Sequence, residues 1–375
     1  MKIKSKKETL LENIQLVQIT SPKTTLPNLS NILIEASENK LTLISTDLEL
    51  SIKNQYNRIS SEASLEILEE GSICLPLRKL IDIIRELEEK EDVLIEVEEN
   101  NRAVISSKDS IFHLFGLPKE DFPAFPEYVE EKSFTLSSSL IKEMIRKTIF
   151  ATAVDEMRYV LNGVFFVVKG NECRMVATDG HRLAFIKKML PNEISEESEV
   201  IIPTKALTEV NRIIPEDKNI NIFLDKNKIV FQIDNLVIVS RLIEGKFPDY
   251  DRVIPKYQDK ILKINNQKLS STCRRIALMT SEKTNVLKLD ISKNKLNLSS
   301  NTPNLGDAEE ELDVNFQGDD IQISFNPKYI MDILKNIEQE EINIFLKSSS
   351  SSGMIKPVEE KDGEEYLCVI MPVRA

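Results

Sequence analysis

Histidine and cysteine are scarce in this chain, and no phosphate-binding loop interrupts it. Only His113 and His181 can supply imidazole. The four cysteines, Cys74, Cys173, Cys273 and Cys368, lie roughly a hundred residues apart, without the close pairing of a zinc site or a disulfide framework. Neither a Walker-type loop nor the glycine fingerprint of a dinucleotide fold is present. These gaps leave small-molecule catalysis few groups to work with. They imply no cofactor and no metal, and they read the thiols as reduced, buried groups of a cytosolic protein. No run of about 18 apolar residues occurs. Residues 1–7 carry four lysines and no apolar h-region, which argues against secretion and membrane spanning and for a cytoplasmic location.

What is present is an ordinary globular composition. Of 375 residues, 41% are hydrophobic and 29% charged, enough to bury substantial cores in two or three domains. The formal net charge of −12 at first argues against a nucleic-acid partner, since phosphate binding depends on clustered Lys and Arg. Net charge does not say where the charges sit.

Several patterns recur at one long spacing, the mark of internal repetition. A proline opens an amphipathic helical pattern at Pro76-Leu77-Arg78-Lys79-Leu80, at Pro203-Thr204-Lys205-Ala206-Leu207 and at Pro327-Lys328-Tyr329-Ile330, intervals of 127 and 124 residues. Proline suits the first helical turn, where no amide donor is needed. An earlier helix recurs over 9–19, 137–150 and 265–278. Thr46-Asp47 returns as Thr178-Asp179, and Phe122-Pro123 as Phe247-Pro248. In the third copy an acidic loop over 301–311 stands in place of the Thr-Asp segment. Strand-like runs occupy 41–45, 164–168, 220–224, 229–233 and 237–240. The expected class is α+β with mostly antiparallel sheet, in three modules: 1–129, 130–257 and 258–375.

The helices are where positive charge collects. In 137–150, Leu140, Ile141, Met144, Ile145 and Ile149 form an apolar stripe, which places Lys142, Arg146 and Lys147 largely away from it. In 265–278, Leu269, Cys273, Ile276 and Ala277 oppose Arg274 and Arg275. A solvated charged face explains any one such helix. Yet the segments 6–19, 75–87, 137–150, 203–214, 265–278 and 326–337 carry 0, +1, +2, +1, +3 and +1, so +8 sits on helices and −20 on the rest. That split suits a basic helical surface and an acidic outer one. No aromatics interleave the basic positions and no recognition helix or zinc finger is present, so any DNA contact is expected to be to phosphate and blind to sequence.

Val176-Ala177-Thr178-Asp179-Gly180-His181-Arg182-Leu183-Ala184 resembles a segment of the bacterial DNA polymerase III beta subunit family, the sliding clamps. Further resemblances lie in Arg158-Tyr159 with Leu161-Asn162-Gly163, Lys246-Phe247-Pro248-Asp249-Tyr250, Leu26-Pro27 and Met371-Pro372-Val373-Arg374, and they span essentially the whole chain. The resemblance implies three domains of the DNA clamp fold, each a pair of βαβββ halves, with antiparallel sheets outside and helices lining a ring. The ring is a head-to-tail homodimer around double-stranded DNA. The implied function is processivity: tethering the DNA polymerase III alpha subunit, the clamp loader and other replication and repair proteins bearing a clamp-binding motif, without catalysis, in the nucleoid-associated cytoplasm.

By resemblance, a peptide-docking pocket carries over to Leu161, Thr178, Gly180, His181, Arg182, Leu183, Pro248, Arg252, Val253, Asn326, Tyr329, Val369, Ile370, Met371, Pro372, Val373 and Arg374. Apolar side chains there suit leucine and aromatic anchors of a short motif. DNA-facing positions are expected at Lys23, Lys79, Arg85, Lys142, Arg146, Lys147, Lys205, Arg212, Lys268, Arg274, Arg275 and Lys335. Ring closure is expected to set Phe112 of one chain against Leu278 and Met279 of the other, with Glu309, Glu310 and Glu311 nearby. Three places depart from the family pattern. Val160 replaces a frequent tyrosine, residues 348–352 are a serine run near the pocket rim, and Asp155 and Glu156 make one expected DNA loop acidic.

Two other readings remain open on the residues alone. Asp179 and His181 could form a metal or acid/base pair, although no third partner is evident. Alternatively, the chain could be an acidic repeat scaffold that binds peptides but never DNA.

Overall fold

The computed structural model describes residues 1–19, 27–57, 65–130, 133–154, 156–281 and 285–373. Two compact units emerge: residues 1–141 with 205–242, and residues 142–204 with 243–375. The first begins with β1 (Lys2–Lys6), α1 (Lys7–Leu16), β2 (Asn31–Ser37), β3 (Lys40–Thr46) and β4 (Leu50–Asn57). It continues through β5 (Leu65–Glu69), β6 (Gly71–Pro76), α2 (Leu77–Glu86), β7 (Asp92–Val97), β8 (Arg102–Ser107), β9 (Ser110–Phe115) and β10 (Ser133–Ser137). Helix α3 (Ser138–Thr148) carries the chain into the second unit, where β11 (Gly163–Thr178) and β12 (Arg182–Pro203) form a long hairpin. The chain then returns to the first unit as α4 (Thr204–Ile213), β13 (Asn219–Asp225), β14 (Lys228–Ile233) and β15 (Leu236–Arg241). The second unit is completed by β16 (Lys260–Asn265), α5 (Asn266–Ile276), β17 (Leu287–Ser292), β18 (Lys295–Thr302), β19 (Gly306–Asp313) and β20 (Asn315–Gln317), then β21 (Ile321–Phe325), α6 (Pro327–Lys335), β22 (Glu341–Leu346), β23 (Gly353–Pro357) and β24 (Glu364–Ile370).

Sheet pairing is antiparallel throughout these strands, as the α+β reading expects. The first unit holds a five-stranded sheet, β5-β1-β7-β8-β9, and an eight-stranded one, β10-β13-β14-β15-β4-β3-β2-β6. The second holds β11-β12-β24-β23-β22-β16-β20 and β19-β18-β17-β21. Two ladders explain why the compact units cut across the sequence repeat. β4 pairs with β15 from Leu50↔Ser240 to Asn54↔Leu236, and β12 pairs with β24 from Arg182↔Ile370 to Lys188↔Glu364. Each ladder continues a sheet from one repeat into the next, so compactness follows the sheets and the middle repeat is shared between the units.

The repeat itself is visible in hydrogen bonds. The N–H of Lys7 donates to Glu91 O, that of Ser138 to Lys218 O, and that of Asn266 to Glu340 O, at 3.1, 2.8 and 2.8 Å. In the first and third copies, the side chain of that same residue also holds the C-terminal end of the companion helix. Buried Lys7 donates Nζ to the carbonyls of Arg85 and Leu87. Asn266 Nδ2 donates to those of Leu334 and Ile337 at 3.2 and 2.8 Å. A cation or amide there satisfies carbonyls that the helix leaves unpaired.

Helical spacing buries Leu10 and Ile14 of α1 and Leu77, Leu80, Ile81 and Ile84 of α2. Each such side chain contributes roughly 1.5–3 kcal/mol relative to exposure. The three prolines do introduce helices, but only Pro327 lies in the first turn. Pro76 is the N-cap of α2, and Pro203 ends β12 just before α4. One expectation is corrected: 301–311 is no acidic loop. It spans the turn of the β18–β19 hairpin and most of β19, with Asn301↔Asp307 and Asn297↔Glu311 in register. Lys295 pairs with Glu311 and Asp313 and Asn297 donates to Glu309, partners that make an acidic strand tolerable.

Candidate functional site

Four of the expected docking-pocket residues, Leu161, Leu183, Val253 and Val369, belong to one apolar cluster of the second unit. Leu161, Val176, Leu183, Phe185, Ile201, Phe247, Tyr250, Leu367 and Val369 form its buried part, with Val160, Phe165, Val253, Ile254 and Met354 packed against it half-exposed. The rings interlock: Phe165 stacks on Phe247 with centroids 5.0 Å apart, and Phe185 meets Tyr250 at 5.9 Å. Strand alternation accounts for the placement, because Leu183 and Phe185 leave β12 on the face where Leu367 and Val369 leave β24. Val160, the departure from the family pattern, is part of this apolar surface. The serine run forms the turn between β22 and β23, with Ser348 Oγ 2.7 Å from Ser351 Oγ.

A tight turn leads into β12. Thr178 Oγ1 accepts from Gly180 N–H at 3.1 Å, and Asp179 Oδ1 accepts from the N–H groups of His181 and Arg182 at 2.9 and 3.0 Å. Gly180 has φ +87°, and a Cβ there would stand 2.8 Å from Arg158 Nη1. The chain's last described segment is tied to the same place: Met371 N–H donates to His181 O at 2.9 Å and Val373 N–H to Ser324 O at 2.8 Å. Asn326 caps α6, its Oδ1 accepting from Lys328 N–H at 2.9 Å.

Arg182 is the buried cation of the site. Its Nε donates to Asp179 Oδ2 at 3.0 Å and its Nη1 to Asp332 Oδ2 at 2.5 Å. The guanidinium lies 4.5 Å from the Tyr329 ring centre and 5.6 Å from that of Phe150. His181, exposed, stacks on Tyr329 with centroids 6.2 Å apart. Burial and the Asp179 charge together raise the Tyr329 phenol above its ordinary pKa. Pro248 and Arg252 are exposed, Arg252 pairing with Asp249 at 2.8 Å. Asp332 was not among the expected pocket residues. The one available signal was its place three residues after Tyr329 on an apolar-striped helix, which puts both on one face.

The expected DNA-facing residues divide by what the fold does with them. Lys79, Arg85, Lys268, Arg274 and Lys335 are exposed. Arg146 is half-exposed and pairs with Glu338 at 2.5 Å, and exposed Arg275 with Glu310 at 2.5 Å. Lys142 is half-buried. Within the first unit, Lys205 pairs with Asp47. There too, Arg212 pairs with Glu209 and donates to the carbonyls of Gln15, in the last turn of α1, and of Gln18 just beyond it. Lys147 requires correction. It is only 4% exposed and joins Glu143 at 2.8 Å and Glu364 at 2.5 Å, while Lys188 binds the same two carboxylates. Tyr366 lies under its Nζ at 5.0 Å. At i+3 from Met144, Lys147 leans into the apolar side of α3 rather than away from it, so it is not available to phosphate. Lys23, Leu26, Asp155 and Arg374 lie outside the described residues.

Of the expected ring-closing residues, Phe112 lies on an end strand, and Leu278 and Met279 lie in a short 3-10 turn after α5. Strand β9 ends the five-stranded sheet with Ile111, Phe112 and Phe115 exposed. In the second unit Leu278 is 75% exposed, and Met279 O accepts from Thr302 Oγ1 at 2.7 Å, beside acidic edge strand β19. For the metal or acid/base reading, Asp179 is already committed to the turn and to Arg182. Among the described residues no cluster of three or more His, Cys, Asp and Glu could hold a metal. The four thiols are buried, each pushed up to about 12 chiefly by burial.

Repeated βαβββ halves and antiparallel sheets continued across the repeats define the three-domain DNA clamp fold. A solved sliding clamp (DNA polymerase III subunit beta) from Pseudomonas aeruginosa, bound to griselimycin, is 33% identical with a TM-score of 0.91, each chain fully covered. The DNA polymerase sliding clamp from Bacillus subtilis is 30% identical with a TM-score of 0.93, over 100% of this chain and 99% of that one. The beta sliding clamp of Staphylococcus epidermidis is 38% identical over 358 residues, 94% of each chain. Family models of the DNA polymerase III beta subunit match in order: the N-terminal domain at residues 1–126, the central domain at 135–249 and the C-terminal domain at 251–374. The chain belongs to the DNA polymerase III beta subunit family.

Proposed function

We propose that this protein is the sliding clamp of a DNA polymerase III: a homodimeric ring around duplex DNA that confers processivity and has no catalysis of its own. Residues 1–129, 130–257 and 258–375 are its three domains. The observation that carries the reading is the pair of junction ladders, β4–β15 and β12–β24, which join the three repeats edge to edge and leave β9 and β19 as end strands whose outer edges have no strand partner among the described residues. A free edge bearing Ile111, Phe112 and Phe115 is an aggregation hazard unless a partner covers it. The acidic β19 edge with exposed Leu278 of a second copy is a complementary cover, and two such contacts close a ring.

Sequence-blind contacts then suffice, because topology rather than affinity holds the ring on DNA. Lys79, Arg85, Lys268, Arg274 and Lys335 are the exposed cations best suited to phosphate, Arg85 being shared with Asp82 at 3.8 Å. The polymerase alpha subunit, the clamp loader and repair proteins dock short motifs on the cluster around Leu161, Leu183, Val253 and Met371. Half-exposed apolar side chains there await leucine or aromatic anchors. The working place is the cytoplasm, at the nucleoid.

The test is retention of labelled protein, loaded by its cognate loader with ATP, on nicked circular DNA in high salt. Salt suppresses simple phosphate binding. Retention on the circle with release after the circle is cut is expected. Equal behaviour on both forms, with a loading control that works, would instead support an acidic scaffold that binds peptides without DNA.

A further inference from the structure

Arg182 belongs to the expected docking pocket, yet its charge is already spent within the protein. The side chain is 9% exposed and gives Nε to Asp179 and Nη1 to Asp332. Asp179 belongs to the same turn as Arg182, but Asp332 belongs to α6, the helix whose Asn326 and Tyr329 stand among the expected pocket residues. The guanidinium lies over the Tyr329 ring, and Tyr329 and Asp332 are one turn apart on α6. Asp332 thus ties the guanidinium to the same helical face that presents Tyr329. A planar guanidinium can hold a carboxylate and an aromatic face together in one geometry, which a lysine cannot.

Resting on the docking-groove reading above, we propose that Asp332 is a positioning residue for partner peptides: through Arg182 it locks the Tyr329 wall of the groove before a peptide arrives. Arg182 then acts as an internal fastener, and it does not contribute an ionic contact to the peptide. A groove ordered in advance spares the peptide the cost of ordering it. Removing the Asp332 charge leaves Arg182 still paired with Asp179, one cation to one anion. Orientation is therefore lost while the buried charge stays compensated.

The experiment measures fluorescence anisotropy of the full-length protein with a fluorescein-labelled peptide of about eight residues bearing leucine and phenylalanine anchors. Asp332→Asn is expected to bind at least about tenfold more weakly than the parent at an unchanged thermal midpoint. Asp332→Glu, which restores the carboxylate, is expected to recover affinity to within about threefold. Arg182→Lys is expected to weaken binding too, with no further loss when Asp332→Asn is added, because both act through one contact. Parent-like affinity in Asp332→Asn, or a folded Asp332→Glu as weak as Asp332→Asn, overturns the proposal and leaves the docking groove standing. A parent protein that does not bind the peptide overturns the groove itself, and the proposal with it. Should Asp332→Asn fail to fold, Arg182→Lys alone decides: weaker binding supports the fastener and parent-like binding overturns it.

Discussion

Leu48 and Gly180 hold the same place in two copies of one turn. Their φ angles are +74° and +87°, and each donates its N–H at 3.1 Å to the threonine two residues before it, Thr46 or Thr178. In both copies the intervening aspartate accepts from the next two N–H groups, those of Glu49 and Leu50 or of His181 and Arg182. The ladders that follow share one register, with Arg241 N–H bonded to Glu49 O as Met371 N–H is to His181 O, each at 2.9 Å. The first repeat thus builds the same turn backbone but puts leucine where the second has glycine.

A left-handed backbone costs a side-chain-bearing residue about 1–2 kcal/mol, less for asparagine. Leu48→Asn is accordingly expected to gain about 1 kcal/mol and Gly180→Ala to lose about as much. Urea unfolding midpoints check both, and a stabilised Gly180→Ala would contradict the account.

Acid is expected to loosen the second unit first. Burial pushes the Glu143 carboxyl up, but hydrogen bonds and charge from Lys147 and Lys188 pull it further down, to about 2. Glu364 is lowered by the same two lysines against its own burial. A carboxylate depressed in the folded state contributes stability that is complete above its unfolded value and is lost as pH falls through the folded one. The loss should therefore run from about pH 4.5 down to about 2. Glu143→Gln should flatten that slope and cost about 2–3 kcal/mol at neutral pH, since it leaves buried Lys147 and half-buried Lys188 facing one carboxylate. Thermal midpoints against pH for the two proteins measure it.

Basic residues on the helices should separate by burial. Neutralising Lys268 and Arg274 together is expected to leave the melting temperature unchanged, to weaken direct binding to duplex DNA and to reduce its salt slope by about one for each phosphate no longer neutralised. Lys147→Gln should do the opposite, lowering the melting temperature while leaving the salt slope alone. A reduced slope in Lys147→Gln would place that lysine at the DNA surface instead of in the interior.

Truncation before Met371 should abolish peptide binding and leave the dimer intact. The removed segment rests on two backbone hydrogen bonds, to His181 and Ser324, and neither free edge strand contains it. Sedimentation reports the dimer and anisotropy the peptide; normal binding by the shortened chain would remove this segment from the groove.

Local pattern alone was enough to read the repeat period, the α+β class, and the helices and strands, because hydrophobic spacing of about 3.6 or 2 residues is written into neighbouring positions. The resemblance at residues 176–184 and 371–374 pointed to the proposed groove for the same reason: motifs are contiguous. Tertiary packing alone decided which charges remain free. Nothing near Lys147 in the sequence marks it as buried, yet it meets Glu364, 217 residues away, and is lost to any ligand. Arg182 meets Asp332, 150 residues away, and the third repeat's acidic segment becomes a strand because Lys295 and Asn297 lie across from it. Ion pairing and burial depend on what approaches through space, and a side chain's near neighbours in the chain carry no record of that.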